Sequence, residues 1–333
     1  MPKALRIIVA EPIGFCFGVK RAINLAKRAR RSHSRVWTLG ALIHNPEVVA
    51  ELRREGIRKV RSVRDARSGA LVIRSHGCRP EILKQARGAG IEVIDATCPY
   101  VGRVQRVVSD LKTAGYSVII VGERNHPEVQ SLLGYAQDAG MVYKPHMKLK
   151  ARKIGVVAQT TIPLKAFQTA LADLCQGDFE ELRVFNTICA EAASRQAAAL
   201  KIAQGVDLMV VIGGRNSANT SRLADIAREA GKQTYQVENQ QELNPGWFVP
   251  AHRVGVTAGT STPSWVVDDV LAALRGRLTP TGEPGELAHP HPRRATPDAR
   301  TFGVKRRASL SASGGVSRDR ISNRRCTTNA LRS

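Results

Sequence analysis

Short apolar runs rich in valine and isoleucine alternate with longer, basic stretches of helical pattern over the first 278 residues. This alternation is typical of α/β proteins, in which a strand and a helix follow one another along the chain. Aromatic residues make up only 5% of the sequence, so aliphatic side chains must build most of the core. The pattern predicts an α/β fold.

One strand–cysteine–helix pattern occurs three times. RIIVAEPIGFC leads into FGVKRAINLAKRARR, IEVIDATC into PYVGRVQRVVSDLKTAG, and FEELRVFNTIC into AEAASRQAAALKIAQG. Each segment predicts a strand, a cysteine in the turn that follows, and the start of a helix. The cysteines of this repeat are Cys16, Cys98 and Cys189.

Two further elements repeat in phase with these cysteines. VWTLGALIHNPEVV, SVIIVGERNHPEVQ and DLMVVIGGRNSANTS each predict a strand, a glycine and a polar turn, and His44, His126 and Ser217 each lie 28 residues after their cysteine. ALVIRSHG, KIGVVAQTT and RVGVTAGTS each place a strand before a turn of small or polar residues. These last turns contribute His76, Thr160, Thr161 and Ser261.

The repeats predict three related α/β units. Ligands of parallel sheets bind at the carboxyl ends of the strands, where helix N-termini offer N–H donors. If the units surround a pseudo-threefold axis, Cys16, Cys98 and Cys189 share a central site, and the remaining cysteines lie outside it: Cys78, Cys175 and Cys326. We expect the units to span 17–97, 98–186, and 1–16 with 187–278.

The net charge of +23 favours anionic partners but does not choose among them. Residues 279–333 hold 11 Lys and Arg against 4 Asp and Glu, are rich in Pro, Gly, Ser and Arg, and are expected to be a disordered basic tail. No apolar run approaches the ~18 residues that span a bilayer, and no export signal is evident. We therefore expect a cytoplasmic protein with reduced thiols.

The predicted ring of residues favours two kinds of ligand. Three thiolates suit a soft metal or an iron–sulfur cluster, although each cysteine alone could be a buried small hydrophobe. The histidines, with Ser217, Asn219 and Ser261, suit a phosphate. Glu128 is the most plausible proton donor, and spacing alone does not separate it from Glu47, its counterpart in the first repeat.

Nine motifs in order carry a resemblance to a known family over roughly residues 6–275: GFCFGVKRAI, ALIHNPEVV, SHG, DATCPYV, NHPEVQ, AQTT, NTICAEAASRQ, GGRNSANTSRL and AGTSTP. The chain resembles the LytB/IspH family of 4-hydroxy-3-methylbut-2-enyl diphosphate reductases. The resemblance implies reductive dehydroxylation of that allylic diphosphate to isopentenyl and dimethylallyl diphosphate, the last step of the methylerythritol phosphate route. It implies three α/β units around a [4Fe–4S] cluster, with ferredoxin or flavodoxin as electron donor.

The resemblance also implies a role for each matching residue. Cys16, Cys98 and Cys189 would bind the cluster, and Glu128 would deliver a proton with Thr160 and His126 beside it. The implied substrate-binding set is His44, His76, His126, Thr160, Thr161, Ser217, Ala218, Asn219 and Ser261.

Three residues depart from the family pattern. Ala218 removes one hydroxyl donor, Glu191 adds a carboxylate near Cys189, and Phe17 stands where a small residue is usual and is expected to narrow the cluster pocket. Ala218 and Glu191 leave open an iron–sulfur paralogue acting on another allylic diphosphate. The positive charge leaves open a basic nucleic-acid-binding protein. The second hypothesis lacks aromatic stacking platforms or a known binding module, so no specific nucleic acid is expected.

Overall fold

The computed structural model describes residues 5–66, 68–249 and 251–276. The predicted tail, 279–333, and Cys326 lie outside the described residues. The strands in these ranges are, in chain order, β1 (Arg6–Val9), β2 (Val36–Leu39), β3 (Ile57–Val60), β4 (Ala70–Ile73), β5 (Glu92–Asp95), β6 (Ser117–Val121), β7 (Gly140–Val142), β8 (Lys153–Ala158), β9 (Glu181–Phe185), β10 (Leu208–Ile212), β11 (Gln233–Val237) and β12 (Arg253–Ala258).

The helices alternate with these strands, as the sequence predicts. They are α1 (Phe17–Ser32), α2 (Pro46–Arg54), α3 (Pro80–Gly88), α4 (Pro99–Thr113), α5 (Pro127–Ala136), α6 (Leu164–Leu174), α7 (Ala190–Ala203), α8 (Ala218–Glu229) and α9 (Ser264–Gly276). Proline stands at the start of α2, α3, α4 and α5, where its missing N–H costs no hydrogen bond. Short 3₁₀ helices cover Val63–Asp65, Gln137–Ala139, Gln240–Glu242 and Pro245–Phe248.

The described strands form three four-stranded parallel sheets, which confirms the α/β fold and its three units. Their strand orders are β1-β12-β10-β11, β3-β2-β4-β5 and β7-β6-β8-β9. The strand from the N-terminus, β1, pairs with β12 near the other end of the described chain. The unit boundaries 17–97, 98–186, and 1–16 with 187–278 stay a prediction, as does the pseudo-threefold axis.

Helices cover both faces of these sheets, so the central strands are largely apolar, and β4 and β10 are apolar at every position. In β10, Val210 packs with Val256 and the valines of α9, whereas its neighbour Val211 packs on the other face with Leu223 and Ala224 of α8. Alternate side chains of a strand point to opposite faces, and a sheet buried on both faces therefore needs a continuous apolar run. Packing on both faces holds each strand in place, and with it the polar turn that begins at the carboxyl end of the strand.

Among the residues that the structure describes, no helix combines the length and the apolar character needed to cross a membrane.

Candidate active site

Each cysteine of the repeat is the N-cap of a long helix: Cys16 of α1, Cys98 of α4 and Cys189 of α7. The strands that precede them, β1, β5 and β9, lie beside β12, β4 and β8. The turn after each neighbouring strand accepts a hydrogen bond from the cysteine backbone N–H, namely Cys16 to the Thr260 carbonyl (3.1 Å), Cys98 to Ser75 (2.9 Å) and Cys189 to Thr160 (2.8 Å). The sequence repeat is therefore a repeat of structure.

The start of α1 lies directly against Cys98. A Cβ placed on Gly18 would stand 2.6 Å from the Cys98 Sγ and 3.9 Å from the Cys16 Sγ. Only a glycine allows α1 to approach this closely. The side chain of Cys16 also accepts a hydrogen bond from the Val19 N–H (3.4 Å), so its sulfur lies over the first turn of α1.

The electrostatics place the third cysteine in the same neighbourhood. Burial raises the pKa of the Cys16 thiol to about 11, and Glu191 and Cys98 add to the rise. Burial also raises the pKa of Cys98, and the nearby Cys189 and Glu128 raise it further. All three cysteines are free thiols and half-buried.

These thiols fit an iron–sulfur cluster. Three sulfur donors at helix N-termini are the soft ligands that such clusters use, and the absent side chain at Gly18 leaves the space between Cys16 and Cys98 open. The raised thiol pKa values mean that deprotonation needs a compensating positive charge, which bound iron supplies.

Glu128 is buried beside the thiols, with 1% of its surface exposed. One carboxylate oxygen accepts the backbone N–H of Thr160 and the other accepts its hydroxyl, both at 2.7 Å. Burial raises the pKa of Glu128 to about 7, although the two Thr160 hydrogen bonds lower it. At neutral pH a large fraction of Glu128 therefore carries a proton, which suits a general acid.

His126 connects Glu128 to two other histidines. Its Nδ1 accepts the backbone N–H of Glu128 (3.2 Å). The ring centroids of His44 and His76 are 4.6 Å apart, and those of His76 and His126 are 5.4 Å apart. One nitrogen from each of the three rings lies within 4.8 Å of the others.

All three imidazoles are held in the neutral form. Burial lowers the pKa of His44, with Arg74 adding to the effect. Burial lowers the pKa of His126 to about 4, with His44 and Arg74 adding to it. The pKa of His76 falls well below its ordinary value for the same reasons. An anion would reverse this effect, because it favours protonated imidazole.

A cavity between the three sheets unites most of the predicted substrate-binding residues. Its lining includes His44, His76, His126, Thr161, Ser217, Ala218, Asn219 and Ser261. Ser261 donates its hydroxyl to the His44 carbonyl (3.0 Å), and Ser217 caps α8 by accepting the Thr220 N–H (3.3 Å). Thr160, also predicted to bind substrate, is not part of this lining. It is hydrogen-bonded to Glu128, and its carbonyl accepts the Cys189 N–H.

Several buried polar atoms of this cavity have no hydrogen-bond partner within the described part of the chain. They are His44 Nε2, His76 Nδ1, and both amide atoms of Asn219. Buried polar groups are nearly always paired, so unpaired ones around a cavity indicate a ligand that satisfies them. The first-turn N–H groups of α8, which begins at Ala218, add further donors for an anion.

The structure separates the two carboxylates that spacing left equivalent. Glu47 is half-buried and makes no hydrogen bond to any residue that the structure describes, whereas Glu128 is enclosed and bonded to Thr160. Two of the three cysteines predicted to lie apart are in the part of the chain that the structure describes, and both do so: Cys78 is in the core under α3, and Cys175 is exposed at the end of α6.

Sequence reasoning missed two arginines: Arg74, which is half-buried, and Arg195, which is buried. Arg74 lowers the pKa of all three histidines, and its place in RSHG, directly before Ser75 and His76, was the available signal. Arg195 is 1% exposed and donates to Glu191 Oε1 (3.0 Å) and to the Ala258 carbonyl (3.4 Å). The Glu191 departure is thus one half of an ion pair within α7.

The expectation that Phe17 narrows the cluster pocket is wrong. Its side chain is 60% exposed. Phe17 is the first residue of α1, and Gly18 and Val19 occupy the inward side of that turn. The helical period therefore directs Phe17 to solvent.

The fold and the site define a class: an α/β protein of three parallel-sheet units, with a cysteine at the N-terminus of one helix in each repeat and a cavity lined by histidine, serine and asparagine side chains. The chain belongs to the LytB protein family, whose model matches residues 7–275. It is 45% identical over 273 residues to the 4-hydroxy-3-methylbut-2-enyl diphosphate reductase of Syntrophotalea carbinolica, covering 80% of this chain and 97% of the relative. The enzyme of that name from Geobacter metallireducens is 42% identical over 275 residues, with 81% and 97% covered.

Two solved structures are also similar. One, described as (E)-4-hydroxy-3-methyl-but-2-enyl diphosphate reductase, the terminal enzyme of the non-mevalonate pathway, is 40% identical with a TM-score of 0.61; 82% of this chain and 99% of that chain are covered. The reductase structure from Plasmodium falciparum has a TM-score of 0.77 at 24% identity, covering 82% and 88%, and supports the fold alone.

Proposed function

We propose that this chain is a 4-hydroxy-3-methylbut-2-enyl diphosphate reductase, an oxidoreductase of isoprenoid biosynthesis. The reaction breaks the allylic C–O bond of the substrate. It consumes two electrons and two protons and releases one water, with isopentenyl and dimethylallyl diphosphate as products. Relatives of that activity at 45% and 42% identity, covered over 97% of their length, support the assignment.

One observation carries the proposal at the level of the site. Glu128 is hydrogen-bonded to Thr160, whose carbonyl accepts the Cys189 N–H, and its own N–H donates to His126 Nδ1. A reductive dehydroxylation needs a source of electrons, a proton donor and a binding site for the diphosphate at one place. Glu128, a proton donor, lies between the cysteines, which suit an electron-carrying cluster, and the histidines, which suit the diphosphate.

In this proposal Cys16, Cys98 and Cys189 hold a [4Fe–4S] cluster. When bound, the cluster supplies the electrons one at a time. All three cysteines are free and half-buried, so their sulfurs are available to bind the cluster. The other two cysteines in the described ranges, Cys78 and Cys175, take no part.

The diphosphate occupies the cavity between the sheets. The neutral rings of His44 and His76 offer N–H donors, and Asn219 offers its unpaired amide. Ser217, Ser261, Thr161 and the backbone at Ala218 complete the set. Arg74 adds positive potential beside the rings, which opposes their protonation. A multiply charged anion bound there would offset that potential and favour protonation of the histidines.

Glu128 delivers the proton that lets the hydroxyl leave as water. Its raised pKa keeps the acid form populated near neutral pH. The Thr160 hydroxyl, bonded to Glu128 Oε2, is placed to pass that proton onward, and His126 orients the backbone of Glu128.

The electrons come from ferredoxin or flavodoxin, and the reaction takes place in the cytoplasm. The five described cysteines are free thiols, which supports a reducing compartment.

An anaerobic assay tests the function directly. The chain is loaded with iron and sulfide, reduced with methyl viologen, and supplied with 4-hydroxy-3-methylbut-2-enyl diphosphate. We expect both diphosphate products and one water per two electrons. A loaded protein that oxidises no viologen with this substrate contradicts the assignment; turnover only with another allylic diphosphate supports the paralogue.

The cluster assignment has a test of its own. Cys98→Ser should lower the bound iron from about four per chain and bleach the visible absorption, since a thiolate ligand is lost. Cys78→Ala is the matched control, because Cys78 is buried in the core away from the site and should keep full iron content. Equal iron in both variants would remove Cys98 from the ligand set.

A further inference from the structure

Two helices that begin at the site cysteines each present an aromatic side chain to solvent. Phe17 follows Cys16 directly in α1 and is 60% exposed, and Tyr100 is the second residue of α4 and is 47% exposed. Exposed aromatic side chains are enriched at protein–protein contacts, because they bury a large area with little loss of side-chain entropy. Neither residue has a role in the proposed chemistry.

The two aromatics flank the same sulfur. Phe17 is next to Gly18, where an added Cβ would lie 2.6 Å from Cys98 Sγ, and Tyr100 lies two residues after Cys98, the N-cap of α4. Arg21 of α1 also donates to the Thr97 carbonyl (3.0 Å), which ties α1 to the turn before α4. The surface between Phe17 and Tyr100 is therefore the outer side of the thiol centre.

Each aromatic is followed one helical turn later by an exposed cation. Lys20 lies three residues after Phe17, and Arg103 three residues after Tyr100, so each cation shares a face with its aromatic. Neither cation forms an ion pair with a residue in the described ranges. The helix α1 contains no acidic residue, so all of its charged side chains are positive.

We infer that Phe17, Lys20, Tyr100 and Arg103, here called the docking face, receive a small acidic electron-carrier protein. This inference rests on the proposed reductase function. Electron transfer weakens steeply with distance, so a carrier must dock at the surface nearest the thiols. An apolar centre with a cationic rim suits a brief, electrostatically steered encounter with an acidic partner.

The electron balance requires two such encounters per turnover. Each carrier is oxidised by one electron, and the two electrons with two protons convert the substrate to product and water. The chain is strongly basic, at +23, so the field that draws an acidic carrier extends beyond these two cations. The docking face decides where the carrier comes to rest.

The test compares two reductants on the loaded holoenzyme. The double variant Phe17→Ala with Lys20→Glu is assayed with reduced flavodoxin and, separately, with reduced methyl viologen, which is too small to need a docking face. We expect kcat/KM for flavodoxin to fall roughly tenfold, as when an aromatic anchor and a steering charge are lost. Viologen-driven turnover should stay within about twofold.

The matched control is Leu200→Ala with Lys201→Glu at the far end of α7. Leu200 is 42% exposed and Lys201 is exposed, so the control makes the same kind of change elsewhere on the surface. It should leave both activities unchanged. In the wild type, flavodoxin-driven turnover should also weaken more steeply with salt than in the double variant.

Three outcomes would overturn the docking face. Equal loss with both reductants would assign Phe17 and Lys20 a structural effect, and no loss with flavodoxin would place the carrier elsewhere. Dissociation of a dimer by the double variant, with flavodoxin turnover unchanged, would assign the face to a second copy of this chain. A wild type inactive with viologen contradicts the proposed function instead.

Discussion

Two glutamates with the same local sequence have different environments in this molecule. Glu47 follows Asn45–Pro46 at the start of α2, and Glu128 follows His126–Pro127 at the start of α5. The turn opposite Glu128 carries Thr160, whose N–H and hydroxyl hold both carboxylate oxygens. The corresponding turn of the first unit carries Ser75 and His76. The residue in the turn opposite each glutamate therefore decides which of the two becomes a buried acid.

The first prediction concerns this acid. Glu128→Gln should keep the fold and the iron, because an amide can still accept from the Thr160 N–H and pair with its hydroxyl. Turnover should fall by about 10² or more, the usual contribution of a general acid. Viologen oxidation and iron content, measured on the same samples, separate the two effects. Glu47→Gln is the matched control and should retain activity.

The pH profile gives a second view of Glu128. Its pKa of about 7 lies above the ordinary 4.5, so the protonated form is lost as the pH rises through about 7. Wild-type turnover should decline over that range, and Glu47→Gln should show the same decline. A wild-type rate that stays level from pH 6 to 9 (roughly two units above the pKa) would argue against Glu128 as the acid.

At the scale of elements, the contact between α1 and the start of α4 holds two of the cysteines together. Gly18→Ala places a methyl group against Cys98 Sγ and should displace that sulfur, lowering the bound iron by more than half. Gly102→Ala in α4 is the control, since no atom lies within 4 Å of its added Cβ, and it should be neutral or slightly stabilising. Iron content and visible absorption report the result; full iron in Gly18→Ala would mean that α1 can shift without cost.

Within α7, Glu191 and Arg195 form an ion pair across one helical turn. The Arg195 side chain is 1% exposed, and Glu191 lies one turn earlier with 31% exposed. Glu191→Ala leaves a buried guanidinium without its carboxylate and should lower the free energy of unfolding by about 1–2 kcal/mol, less than for a fully buried pair.

Anaerobic urea unfolding measures that change. Glu229→Ala removes the exposed partner of Arg222 and serves as the comparison, with an expected effect below about 0.5 kcal/mol. A loss at Glu191 no larger than at Glu229 would show that the Ala258 carbonyl alone satisfies Arg195.

At the scale of the whole molecule, the matched family region ends at residue 275, and residues 279–333 carry +7 of the +23 net charge. We expect a chain shortened after Leu278 to keep viologen-driven turnover within about twofold, since all site residues precede that point. Non-specific binding to nucleic acid at low salt should weaken with the lost charge, as a filter-binding titration can measure. Lost turnover would give the C-terminal segment a role in the site.

Much of the site was predictable because the chain repeats itself. The equal 28-residue steps from Cys16, Cys98 and Cys189 required equivalent strand ends, and the structure shows the same backbone hydrogen bond at each cysteine. Phe17 was misjudged because adjacency in sequence to a ligand does not fix the direction of a helical side chain. Arg195 was missed because a charged residue in an amphipathic helix ordinarily faces water.

The sequence by itself determined the α/β class, the three repeats and the set of turns that carry polar groups, because hydrophobic period and turn chemistry are local properties. Only the tertiary structure decided which of these polar turns lie opposite one another. The pairing of β1 with β12, the burial of Glu128 against Thr160 and the effect of Arg74 on His44 and His126 each join residues that are distant in the chain. Burial and pKa are properties of that assembly, since they depend on the neighbours that exclude water.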